Sequence, residues 1–211
     1  RFSLVAFAQD ALLMVRNTPG TQTKLLLEAV DRLDQIDLGD ETYMARGMEK
    51  GFEQILPGLS PDRVNRMIVL TDGYTKEEHA CYEWTRAAKQ KGIVVSTMGL
   101  GLDFNERLLI SMADSSSGES YLIEDPQEIP AAFGQELARA QSVTWRNLSI
   151  ELNLPSDMTL RRAHRVRPAI AAAMAAASPA AGGAPRIELG HLEVARPPAA
   201  LLELVVPPRP E

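Results

Sequence analysis

Two short runs constrain this chain more than any other feature. Arg66–Thr71 (RMIVLT) and Ile93–Met98 (IVVSTM) are apolar at nearly every position, where a half-exposed strand would alternate. Such strands are covered on both faces, as in a parallel sheet with helices above and below. Helical patterns follow each run. Lys76 to Lys91 turns Ala80, Trp84, Ala87 and Ala88 inward and stops at Gly92, and a second pattern covers Asn105 to Ala113 after Gly99 and Gly101. A short strand at Tyr121–Ile123 and a helix from Pro130 to about Gln141 continue the alternation. Upstream, Arg1–Phe7 and Ala11–Val15 read as a β-hairpin joined through Ala8, Gln9 and Asp10. Lys24–Ile36 carries Leu26, Ala29, Val30, Leu33 and Ile36 at helical spacing. A second stripe runs from Met44 to Ile55 with Gly47 and Gly51 on its inner face, where missing side chains predict close backbone packing. This order predicts an α/β fold over residues 1–141, doubly wound and Rossmann-like, with a mostly parallel sheet.

Beyond residue 141 the period changes. Leu148, Ile150, Leu152 and Leu154 alternate with Asn147, Ser149, Glu151 and Asn153, the signature of a sheet with one wet face. Ile187–Val194 and Leu201–Val206 are strand-like again, so residues 142–211 are expected to form a partial all-β, sandwich-like domain. Within it, Ala169–Pro185 is low in complexity, and its prolines and glycines predict a partly ordered loop in place of an alanine helix. A length of 211 residues with 45% hydrophobic content suffices for one full core plus a smaller unit.

Charge narrows the partners. A net charge of -6 without a basic block argues against nucleic acid, whose phosphates require clustered Lys and Arg. The single cysteine, Cys81, cannot form an intrachain disulfide and reads as a small core residue. No run of about 18 apolar residues spans a bilayer in this segment. The chain opens at Arg1 directly in a strand pattern, as an excised internal segment would.

Asp72 ends the first of the two apolar runs, in MIVLTDGYT (Met67–Thr75). A carboxylate at the end of a buried strand has lost part of its hydration and needs a cation, hydrogen-bond donors or a proton to replace it. In doubly wound sheets ligands sit at this carboxyl edge. Thr42, in GDETYMARG (Gly39–Gly47), is the other polar candidate. Plain capping offers an alternative for both: Asp72 of the following turn or helix, Thr42 of the helix that starts near Tyr43.

The two strings together resemble the von Willebrand factor A domain, in which a threonine loop before a helix and a strand ending in T-D-G supply two parts of a metal-ion-dependent adhesion site. Thr42 and Asp72 match those positions. RFSLVAFAQDALLMV, GIVVSTMGLG and SGESYLIEDPQEI resemble further strands of the family, so the likeness covers Arg1 to about Gln141. It implies a non-enzymatic protein-interaction or adhesion module. In such a module Mg²⁺, or Ca²⁺ or Mn²⁺ in its place, is held by Thr42 and Asp72 and captures a carboxylate from a protein partner. Bacterial relatives of this architecture are often exported, which implies the cell surface or secretion. The family's D-x-S-x-S string, on a first strand ahead of the one that begins here at Arg1, does not occur in this sequence. Asp114-Ser115-Ser116-Ser117-Gly118 approaches it in composition but is expected to be a loop.

Two other functions stand as alternatives. A haloacid-dehalogenase-type phosphatase also puts an aspartate after an apolar strand, but its D-x-D-x-T motif is not met by Asp72-Gly73-Tyr74-Thr75. An assembly domain with a degenerate metal site would keep Thr42 and Asp72 for packing and capping alone. His79, His164 and His191 share no metal-ligand spacing and read as solvated. Trp84 and Trp145 read as packing residues, and Arg161, Arg162, Arg165 and Arg167 as a solvated strand face or loop.

Overall fold

A computed structural model describes residues 1–60, 63–167, 171–172, 184–193 and 197–208. Two compact units are present, Arg1–Gly134 and Gln135–Glu211.

The first unit opens with an antiparallel hairpin, β1 (Phe2–Phe7) and β2 (Ala11–Thr18), which forms a sheet of its own. Helices α1 (Thr23–Val30) and α2 (Met44–Ile55) follow. A parallel sheet is then built in the order β3 (Asn65–Thr71), β4 (Ile93–Leu100) and β5 (Ser120–Ile123), with α3 (Glu78–Gln90) and α4 (Glu106–Ser116) as its crossovers. Helix α5 (Ile129–Ser142) runs into the second unit. The expected α/β architecture is therefore observed, and its reason is visible in β4, buried at every position from Ile93 to Gly99. Met67 and Val69 of β3 and Val95 of β4 pack with Met48 of α2, Leu109 of α4 and Cys81 of α3. Ile68 and Leu70 turn to the opposite face with Met98, Ile123 and Ala132. Each such side chain removed from water contributes about 1.5–3 kcal/mol.

The glycine stripe of α2 acts as read from the sequence. A Cβ on Gly47 would lie 2.6 Å from the Phe7 ring of β1, and one on Gly51 would lie 3.4 Å from the Met67 side chain of β3. Two glycines one turn apart thus let the same helix face rest on the hairpin and on the parallel sheet. The helix expected over Lys24–Ile36 is shorter than that: α1 stops at Val30, and a separate 3-10 turn covers Leu33–Gln35. Only Ala29 of α1 is buried, while Val30 is 51% exposed, so its apolar stripe has little sheet to pack on and the helix ends early.

In the second unit β6 (Val143–Glu151) pairs with β9 (Arg186–Glu193). The strands β7 (Thr159–Arg167), β8 (Ala171–Ala172) and β10 (Ala199–Val205) form a second antiparallel sheet in the order β10-β7-β8. Residues of both sheets share one small core around Ala163, Ile187 and Leu189, joined by Leu148, Ile150 and Leu202. The Ala-rich loop expected over residues 169–185 lies largely outside the described residues; Ala171 and Ala172 in it form β8. Of two expectations for this unit, one holds in large part and one is corrected. The arginine segment is a strand with Arg161, Arg162 and Arg167 exposed, as a solvated strand face would be, but Arg165 is buried; Arg161 reaches Glu203 across the sheet at 2.8 Å. Trp145 is 66% exposed and is not a packing residue.

Candidate functional site

The carboxyl edge of the parallel sheet is shaped by three threonines. Thr71, the last residue of β3, is buried, and its hydroxyl donates to the Gly73 carbonyl at 3.2 Å and accepts from the Gly73 amide at 3.4 Å. That side-chain turn ends the strand and lifts Asp72 into solvent. The Thr42 hydroxyl lies against the same turn: a Cβ on Gly73 would be 3.3 Å from Thr42 Oγ1. The two loops singled out in the sequence therefore meet at one rim.

Thr75 locks them there. Its buried hydroxyl donates to the Thr42 carbonyl at 3.3 Å and accepts the Met44 amide, the first N–H of α2, at 3.1 Å. The Lys76 amide donates to the same Thr42 carbonyl at 2.9 Å, and the Tyr43 amide donates to Ala8 in the hairpin turn at 2.9 Å. Thr75 was missed in the sequence as a site residue because its partners are 31 and 33 positions away. Replacing it with valine orphans the Met44 amide inside the protein, so Thr75→Val is expected to cost about 1–3 kcal/mol of stability. Urea denaturation of the variant beside the parent chain measures this.

Capping explains neither candidate. Helix α2 starts after Tyr43 and α3 after Glu77, neither of these residues caps its helix with its own side chain, and the first N–H of α2 is taken by Thr75. Among the described residues, the Thr42 hydroxyl and the Asp72 carboxylate have no hydrogen-bond or ion-pair partner, while the atoms that hold their loops are all engaged. A carboxylate and a hydroxyl left free on fixed loops are the donor types that a hard divalent cation takes, with water completing the shell. Among the described residues no group of three or more His, Cys, Asp or Glu that could hold a metal ion occurs.

Charged side chains fasten the outer rim. Lys76 Nζ is 3.2 Å from Glu41, the Tyr43 hydroxyl is 3.0 Å from the same carboxylate, and the Arg46 guanidinium lies 4.2 Å from the centroid of the Tyr43 ring. Hydrogen bonds from Lys76 and then Tyr43 hold the Glu41 carboxyl below its usual range, and the Glu41 carboxylate in turn pushes Tyr43 up. With a folded-state value depressed in this way, the Glu41 clasp is in force above the ordinary carboxylate range and is released as pH falls through the lowered value.

The other candidates fall away on position. Asp114, Ser115 and Ser116 are not a loop: they form the last turn of α4, and the Ser116 hydroxyl accepts the Val95 amide at 3.0 Å. His79 is exposed beside Glu83. Cys81 is buried, and burial pushes its thiol up to about 11. It is therefore neutral and shielded at physiological pH. Iodoacetamide at pH 8 is expected to leave Cys81 unmodified in the native protein and to alkylate it fully in denaturant, as read by intact mass.

Residues 1–135 match the model of the von Willebrand factor type A domain. An uncharacterised protein of Synechocystis is 28% identical over 158 residues, covering 73% of this chain and 36% of its own length. A von Willebrand factor type A structure from Catenulispora acidiphila superposes with a TM-score of 0.82 at 19% identity, covering 99% of this chain and 49% of that one. Proximal thread matrix protein 1 of the mussel byssus, solved with zinc in its MIDAS motif, superposes with a TM-score of 0.53 at 20% identity, over 65% of this chain and 34% of that one. The chain thus spans about a third to a half of these proteins. Among the described residues no helix is long and apolar enough to cross a membrane.

Proposed function

The chain belongs to the von Willebrand factor type A domain family, and from that premise we propose that it is a protein-interaction module whose Thr42 and Asp72 hold a Mg²⁺-type cation that captures a carboxylate of a protein partner. Domains of this family are generally interaction modules without catalysis. The observation that carries the reading is the meeting of the two loops that bear the Thr42 hydroxyl and the Asp72 carboxylate, tied together through Thr75. The zinc-bearing MIDAS motif of the mussel protein, on the same fold, supports a divalent ion at this edge.

The bound ion would supply an electrophilic position for an incoming acid. The residues of the chain do the rest. Thr42 offers a neutral oxygen, which leaves the charge on the ion undiminished, and Asp72 supplies one negative charge directly or through water. Because Asp72 is exposed and Thr42 is only partly buried, a partner can reach them without rearrangement of the core. An exported location is the corresponding proposal for the whole protein, in keeping with an adhesion role.

Calorimetric titration of the chain with MgCl₂ tests this. Heat of binding is expected, with stability raised by about 2.7 kcal/mol when Mg²⁺ reaches roughly a hundred times its Kd. No heat and no change in melting temperature would instead assign the two residues to an assembly domain.

A further inference from the structure

Two large apolar side chains stand in water beside the site. Tyr74, two residues past Asp72, is 60% exposed, and Leu102 is 82% exposed. They leave neighbouring parallel strands at the same level, since Thr71 of β3 is in register with Gly99 of β4 and each side chain lies three residues beyond its strand partner. The Leu102 loop is held firmly. Gly101, with a φ of +78°, donates its amide to the Ile123 carbonyl at 2.9 Å. Buried Phe104 lays its ring over Gly99, and Asn105 both caps α4 through the Leu108 amide at 3.1 Å and donates to Glu78 of α3 at 2.5 Å. Gly101, Phe104 and Asn105 of this loop are thus anchored while Leu102 itself stands in solvent. The last bond also ties this loop to the start of the helix that follows Tyr74.

Two carboxylates flank the pair, and the exposed Lys76 between Tyr74 and Glu77 is engaged by Glu41 at 3.2 Å. Asp103 adjoins Leu102 and Glu77 follows Tyr74; both are exposed and, among the described residues, neither has an ion-pair partner. These carboxylates oppose an anionic membrane surface and favour a cationic side chain next to an apolar one.

We propose that Tyr74 and Leu102 form an apolar shelf for a partner polypeptide that places a large apolar side chain on it, a neighbouring carboxylate at the Thr42–Asp72 site, and a basic residue opposite Asp103 and Glu77. This deepens the carboxylate-capture reading and rests on it. Most of the specificity then comes from the shelf, because any exposed acid could meet a cation whereas few segments carry the three groups together.

Selection of a random seven-residue phage library on the immobilised chain in Mg²⁺, with elution by EDTA, tests the proposal. Eluted clones are expected to pair Asp or Glu with an adjacent large apolar residue and to carry Lys or Arg nearby. Against the Tyr74→Ser/Leu102→Ser double variant, shown by calorimetry to bind Mg²⁺ like the parent, the acid should persist while the apolar neighbour falls about tenfold in frequency. Either single variant serves if the double one does not fold. Acid-bearing clones without an apolar preference, or a preference unchanged in the variants, would overturn the shelf alone. Clones that are apolar and basic but lack an acid, or a failure of EDTA to elute any, would overturn the capture reading and the shelf's dependence on it.

Discussion

Alanine at Gly118 is expected to destabilise the first unit by about 3 kcal/mol or more, the largest stability effect of a single methyl group in this protein. Gly118 closes α4: its amide donates to the Ala113 carbonyl at 2.8 Å, one residue after Ser117 ends the helix in the left-handed conformation at φ 67°. The added Cβ would fall within the van der Waals sphere of the Val95 carbonyl oxygen in β4. Neither side can yield cheaply. Val95 is wholly buried, its strand is paired with β3 and β5 on either side, and the Ser116 hydroxyl binds its amide at 3.0 Å. Gly134→Ala supplies the opposite control, because nothing lies within 4 Å of that position and it sits within α5. There the same methyl group should stabilise by about 0.8–1 kcal/mol through helix propensity. Thermal melts of the two variants should move in opposite directions, the Gly118 variant by roughly 6–12 °C at about 2–4 °C per kcal/mol.

The largest expected effect on function belongs to Asp72→Asn. Asparagine keeps the shape and a carbonyl oxygen but removes the charge, so Mg²⁺ affinity should fall by about 10- to 100-fold or more, measured by calorimetric titration. Stability without the ion should stay within about 0.5 kcal/mol of the parent, because the Asp72 carboxylate is exposed and supports nothing else among the described residues. This separation of affinity from stability is the mark of a ligand-holding side chain. Thr75→Val should behave in the converse way, with a clear loss of stability, since its buried hydroxyl holds two backbone groups of the Thr42 loop. An Asp72→Asn chain that binds Mg²⁺ as the parent does would refute the assignment of that residue.

Much of this architecture can be read from local pattern. The runs at Arg66–Thr71 and Ile93–Met98 predict strands covered on both faces, and β3 and β4 are those strands. Helix α2 and the tight contacts of Gly47 and Gly51 also follow from spacing, because helical periodicity and a missing Cβ are properties of a few neighbouring residues. Thr42 and Asp72 could be singled out because one precedes a helix and the other ends a buried strand. Elements with weaker local signals are only partly legible. β7 is exposed at three of its four arginines as its pattern suggests, but the burial of Arg165 is not visible locally, and α1 loses its last turn because little sheet lies beneath it.

The chain's own pattern therefore sets which segments become strands and helices and on which loops the polar candidates lie, because periodicity, glycine and burial act over a few residues. What brings Thr42 over Gly73, burdens Thr75 with two backbone groups more than 30 positions away, buries Ser116 against β4 and leaves Leu102 in water is the three-dimensional packing. Those relations are contacts between segments distant in sequence, and their geometry exists only after the sheet and its helices have closed on one another.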